Sequence, residues 1–80
     1  MEKEIASFSK NRTELVKVRL QDYQDKQYVD IRIFLKPDLV KGDTGHATGK
    51  GITLHVDHLS ELRRALDTAM AELVMGGEKN

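Results

Sequence analysis

The chain has no cysteine, no tryptophan, one proline and no net charge, with 13 Lys/Arg against 13 Asp/Glu. Without cysteine there can be neither disulfides nor thiolate metal sites, and the redox compartment stays unreadable. No apolar run approaches the length needed to cross a bilayer. The opening Met1-Glu-Lys-Glu-Ile5 is charged and lacks the apolar core of a signal peptide. These absences predict a soluble, cytoplasmic, nucleoid-associated protein with no membrane partner and no cofactor. Eighty residues make one small domain. A chain this short buries only a modest share of its surface. With disulfides excluded, self-association is the expected support.

What is present is a pair of alternating runs, Leu15-Val-Lys-Val-Arg-Leu-Gln-Asp-Tyr23 and Gln27-Tyr-Val-Asp-Ile-Arg-Ile-Phe-Leu-Lys36. Side chains on a strand alternate between faces. Val16, Val18 and Leu20 therefore oppose Lys17, Arg19, Gln21 and Tyr23. In the second run Val29, Ile31, Ile33 and Leu35 oppose Tyr28, Asp30, Arg32, Phe34 and Lys36. A face bearing cations and flat rings suits single-stranded nucleic acid, which needs phosphate partners and stacking platforms.

Zero net charge counts against such a ligand, because a basic domain is the usual footprint. The distribution answers part of that objection. Residues 10–36 hold seven Lys/Arg against four acids, a balance of +3, and residues 57–80 hold three against five, a balance of −2. The cations belong mainly to the strands and the acids to the helix, so the molecule is polarised.

Along the chain, residues 1–11 read as a loose entry with a short strand near Phe8, followed by a strand over about 13–22. The polar Asp22-Tyr-Gln-Asp-Lys26 predicts a turn, and a strand over about 27–36 returns antiparallel. Pro37 ends it, since proline cannot donate to a ladder. Residues 37–50, with Gly42, Gly45 and Gly49, read as a mobile loop. Gly51-Ile-Thr-Leu-His-Val56 is a further alternating run with Ile52, Leu54 and Val56 inward. Asp57 is suited to cap a helix N-terminus. Leu59, Leu62, Leu66, Ala69, Met70 and Leu73 then recur at helical spacing. Gly76-Gly77 would close that helix in left-handed geometry, leaving 76–80 as a tail beyond a core of about 8–75. A helix of roughly 19 residues spans about 28 Å, long beside so small a sheet. Its stripe of Leu59, Leu62, Leu66, Met70 and Leu73 is therefore expected to serve as core and as dimer interface.

The ordered set of strand, hairpin, strand, glycine-containing loop, strand and helix carries the words Val29-Asp-Ile-Arg32 and Gly49-Lys-Gly-Ile-Thr-Leu54. It resembles the single-strand-binding domain of the transcriptional coactivator positive cofactor four. That family has a basic strand ending in an Arg-Asp-Phe-like turn, then Asp-Ile-Arg, then Lys-Gly-Ile-Ser-Leu, then a capped helix. The likeness covers about Phe8 to Met70. It implies an α+β homodimer, each subunit a curved antiparallel sheet of about four strands backed by one C-terminal helix, with single-stranded DNA over the sheet faces.

By position, the resemblance puts the family's turn ring on Tyr23 and its turn lysine on Lys26. Its strand arginine falls on Arg32, and the lysine opening the last strand on Lys50. The family's animal members have a tryptophan where this chain has Leu35, and two loop cations where it has His46 and Gly49. They also carry a serine-rich, acidic tail that this sequence lacks. The chain thus resembles a minimal, bacterial form.

Other motifs fail on inspection. Gly45-His-Ala-Thr-Gly-Lys50 has three residues between its glycines where a phosphate loop has four, and Gly51 stands where Ser or Thr is required. His46, His55 and His58 have no cysteine support and do not share one helical face, so no metal site is expected. No nucleophile–base or carboxylate pair stands out, so no enzyme is expected. The expected ligand-binding set is Lys17, Arg19, Tyr23, Lys26, Arg32, His46 and Lys50, with single-stranded DNA and also RNA as partners. The competing reading is a dimeric interaction module docking onto a transcription-machinery protein. Arg32 has a competing role too, as a structural ion pair with its neighbour Asp30.

Overall fold

A computed structural model describes residues 2–37 and 45–76. Its centre is a ten-on-ten hairpin of β2 (Glu14–Tyr23) and β3 (Lys26–Leu35), paired without interruption from Glu14↔Leu35 to Tyr23↔Lys26. Gln24 and Asp25 make the turn, at φ of 52° and 65°. Two consecutive left-handed residues are what a two-residue hairpin loop requires to match the strand twist.

β1 (Lys3–Ser9) flanks β2 and β4 (His46–His55) flanks β3, all antiparallel, giving an open sheet in the order β1-β2-β3-β4. A short 3-10 turn, Val56–His58, leads into helix α1 (Leu59–Met75).

Four local expectations are corrected. The entry segment is not loose but a seven-residue edge strand, with its register shifting between Glu4 and Ala6. Its sequence lacks clean alternation, and pairing with β2 imposes the extended form. The loop expected up to Lys50 ends sooner, because β4 begins at His46. Thr48 anchors that half of the strand by donating its hydroxyl to Ile33 O at 2.8 Å. Residues 38–44 of the expected loop lie outside the described residues.

Asp57 does not cap α1, since it falls inside the 3-10 turn. His55 caps that turn, its Nδ1 accepting from Asp57 N at 3.1 Å, while α1 starts behind His58 with no side-chain cap. At the other end Gly76 is right-handed, at φ −77°. Its use is close approach: an added Cβ would lie 2.6 Å from Glu72 O. Gly77 lies outside the described residues.

The hairpin register sorts the two faces. One carries Val16, Val18, Leu20, Val29, Ile31, Ile33, Ile52 and Leu54 by pairing. The N-terminal half of α1 leans over it, and Leu59, Leu62 and Leu66 line a cleft of about 400 Å³ with Val18, Val29 and Ile31. The cleft is open and the cover thin. Among the described residues only Val29 is a buried hydrophobic, and Leu66, Met70, Leu73, Val74 and Met75 are all exposed. The radius of gyration is 15.6 Å, against about 12 Å for a compact domain of this length.

Candidate nucleic-acid interface

The opposite face of the sheet is polar, and the register explains how. Lys17 sits across from Arg32, Arg19 from Asp30 and Gln21 from Tyr28, while β4 sets Thr53 beside Asp30 and Gly51 beside Arg32. Gly51 is required there: its φ is +155°, and a Cβ would fall 2.4 Å from Ile31 O and 2.9 Å from Arg32 Cα.

At the middle of this face lies Asp30, 1% exposed. Its carboxylate accepts from Arg32 Nη2 at 2.6 Å, from Thr53 Oγ1 at 2.8 Å and from Arg19 Nη2 at 3.0 Å. A buried carboxylate is tolerated only when paired and hydrogen-bonded. Those bonds, Arg32's foremost, hold its pKa down to about 2 against the opposing effect of burial. Asp30 in turn raises the pKa of Arg32. Arg19 is less well served, because its Nε is buried with no hydrogen-bond partner among the described residues.

Phe34 continues the face. Lys17 Nζ stands 4.8 Å and Arg19 Cζ 5.3 Å from its ring centroid, within cation–π range. Lys17 also pairs with Glu4 at 3.2 Å. At the hairpin end Tyr23 is 64% exposed, and Lys26 faces it across the turn.

The expected set is thus gathered unevenly. Lys17, Arg19, Tyr23, Lys26 and Arg32 share one continuous face. Lys50 is exposed in the irregular stretch of β4 between the Arg32 and Phe34 pairings, its N–H donating to Thr48 Oγ1 at 3.1 Å. His46 pairs with Leu35, which puts it at a register position of the apolar face, apart from the arginines. Three of the cations already have acidic partners, Lys17 with Glu4 and both arginines with Asp30. The side chains of Lys26 and Lys50 form no ion pair among the described residues.

Sequence reasoning did not single out Asp30 as the hub, although its alternation put the residue on the cation face. It could not see Thr53 completing the cluster, because that contact joins residues 23 positions apart. Among the described residues no helix is long and apolar enough to cross a membrane.

Three solved structures share this fold. Two are crystal forms of a PC4 homolog from Burkholderia pseudomallei. The orthorhombic form has a TM-score of 0.74 at 24% identity, covering 88% of this chain and 90% of that one. The tetragonal form has a TM-score of 0.72 at 23% identity, covering 88% and 98%. The third is a bacteriophage T5 homolog of the eukaryotic transcription coactivator PC4, implicated in recombination-dependent DNA replication. It has a TM-score of 0.68 at 20% identity, covering 89% of this chain and 78% of that one. No curated protein matches the sequence. The family model described as transcriptional coactivator p15 (PC4) matches residues 10–65, more than half the chain. With the open four-stranded sheet and single C-terminal helix, that match makes the protein a member of the PC4 family.

Proposed function

We propose that this protein binds single-stranded DNA, and RNA as well, with little sequence preference, and does so as a homodimer without catalysing a reaction. The observation that carries the reading is the continuity of one sheet face. Lys17, Arg19 and Arg32 stand on the same surface as the exposed ring of Tyr23 and the cation of Lys26. Cations along a groove capture the phosphates and a ring stacks on a base, with no need for a particular sequence. In this reading Tyr23 stacks, and Lys17, Arg19, Lys26, Arg32 and Lys50 meet phosphates. A family described by a transcriptional coactivator, and a phage homolog of that coactivator implicated in recombination-dependent DNA replication, support work wherever strands are melted, in transcription, replication or repair.

The dimer rests on what the single chain leaves uncovered. Its accessible surface is 6388 Å², against about 4,900 Å² for a compact chain of this mass. The excess is about 1,500 Å² for one chain and so about 3,000 Å² for two, within the range an obligate homodimer interface buries in total. Leu59, Leu62, Leu66, Met70 and Leu73 of α1 are the surface a second copy would cover.

The internal ion pairs favour a second reading. Asp30 partly neutralises both arginines and Glu4 partly neutralises Lys17, as in an interaction module that docks on a transcription-machinery protein. A gel shift at moderate salt separates the two. Strong preference for the single strand over the duplex supports nucleic-acid binding, whereas no binding to either supports the module.

A further inference from the structure

On the polar face, beside the hairpin turn, lies a cleft of about 340 Å³ lined by Glu2, Gln21, Asp22, Tyr23, Tyr28 and Thr53. From this cleft we infer that Tyr28 and Tyr23 form a two-sided slot for one unpaired nucleobase, with Gln21 on its floor. The inference rests on the single-strand reading above and adds a base subsite to it.

The register supplies the spacing. Tyr23 pairs with Lys26, and Gln21 pairs with Tyr28, so the two tyrosines are diagonal neighbours on one face. Such diagonal positions are about 7–8 Å apart. A planar ring held between two others at van der Waals separations of about 3.5–4.0 Å needs the same gap. The volume is at the small end of ligand sites, which run from about 300 to 1,000 Å³, and so suits one base.

Tyr28 is held ready for this. Its ring makes a T-shaped contact with His55, with centroids 5.5 Å apart at 87°. His55 is itself fixed by accepting from Asp57 N at 3.1 Å. A ring ordered before its ligand arrives loses less entropy on binding.

Among the described residues no Lys or Arg side chain lines the cleft, so phosphates find their cations outside it, at Lys26 and the arginines, while a neutral base needs none. Gln21 presents an amide that can both donate to and accept from a base edge.

The test compares intact oligo(dT) with an abasic strand of equal length and charge. Tyr28→Leu should weaken the intact strand about 5- to 150-fold, the range of one lost base stack, and leave the abasic strand unchanged. Tyr28→Phe should keep wild-type affinity for both. In the wild type, NMR signals of the Tyr28 ring should move upfield with the intact strand only, a readout that does not depend on any variant folding. Equal weakening on both strands by Tyr28→Leu, or a Tyr28 ring blind to the intact strand, overturns the slot while leaving electrostatic binding in place. Failure of the wild type to bind either strand would overturn the single-strand reading and this one with it.

Discussion

Asp30 and Arg32 stand two positions apart on β3, and the guanidinium grips the carboxylate through both Nη2, at 2.6 Å, and Nε, at 3.1 and 3.2 Å. Such a fork fixes the arginine plane before any ligand arrives. Nη1 remains turned toward β4, 3.5 Å from Thr48 O. The same acid restrains Arg19 from the neighbouring strand. One buried carboxylate therefore both orients the central cations of the face and offsets part of their charge.

That arrangement has a pH signature. The Asp30 pKa is about 2 in the folded chain and 3.8 without its partners. Its contribution is complete above about pH 4 and is lost as pH falls through 2, and is worth about 2 kcal/mol. Asp30→Asn removes the counter-charge from two part-buried guanidiniums and should cost about 3 kcal/mol at neutral pH. Urea unfolding of both proteins from pH 6 to 2 checks this: the gap between them should narrow at the acid end. A constant gap would deny Asp30 its role.

Tyr23→Ala should weaken oligo(dT) binding by about 1–3 kcal/mol. The melting temperature should scarcely change, because the ring is already 64% exposed. A titration showing unaltered affinity takes Tyr23 out of the interface.

Among the described residues the side chains of Lys26 and Lys50 form no ion pair that a ligand would have to break, so they give the cleanest electrostatic test. Each alanine variant should reduce the slope of log affinity against log salt by about 0.7, the value for one phosphate contact on a single strand. Lys17, paired with Glu4 at 3.2 Å, should change the slope less. A wild-type profile flat in salt would mean that none of these cations meets a phosphate.

Leu66→Glu and Met70→Glu place charge on the exposed stripe of α1. Wild-type protein should sediment at about twice its 9.1 kDa chain mass, with a melting temperature that rises with concentration. Either variant should sediment as a single chain and melt lower. A wild-type mass of one chain at micromolar concentration disposes of the dimer.

Much of the fold is written in local pattern. Period-two alternation in residues 15–36 separates the faces of β2 and β3, and the polar Asp22–Lys26 stretch marks their turn. The leucine spacing from Leu59 gives α1. β1 was only partly legible, because Lys3–Ser9 owes its extended form to β2 and not to its own alternation. Gly42, Gly45 and Gly49 suggested a loop as far as Lys50, yet β4 begins at His46, and Gly51, read as opening a strand, is what lets it approach Arg32 closely. Asp57 looked like a cap only because the intervening 3-10 turn leaves no mark in composition.

The candidate site divides along the same line. Alternation alone put Lys17, Arg19, Tyr23, Arg32, Tyr28 and Asp30 on one surface, because side chains on a strand cannot do otherwise. Which of them pair with one another depends on register across three strands, and that is a property of the folded sheet. Only the register brings Arg19, Arg32 and Thr53 to one buried carboxylate, puts His46 on the apolar face and makes Tyr23 and Tyr28 diagonal neighbours. One-dimensional order determined which residue types share a face; the long-range pairing of strands decided which charges remain available.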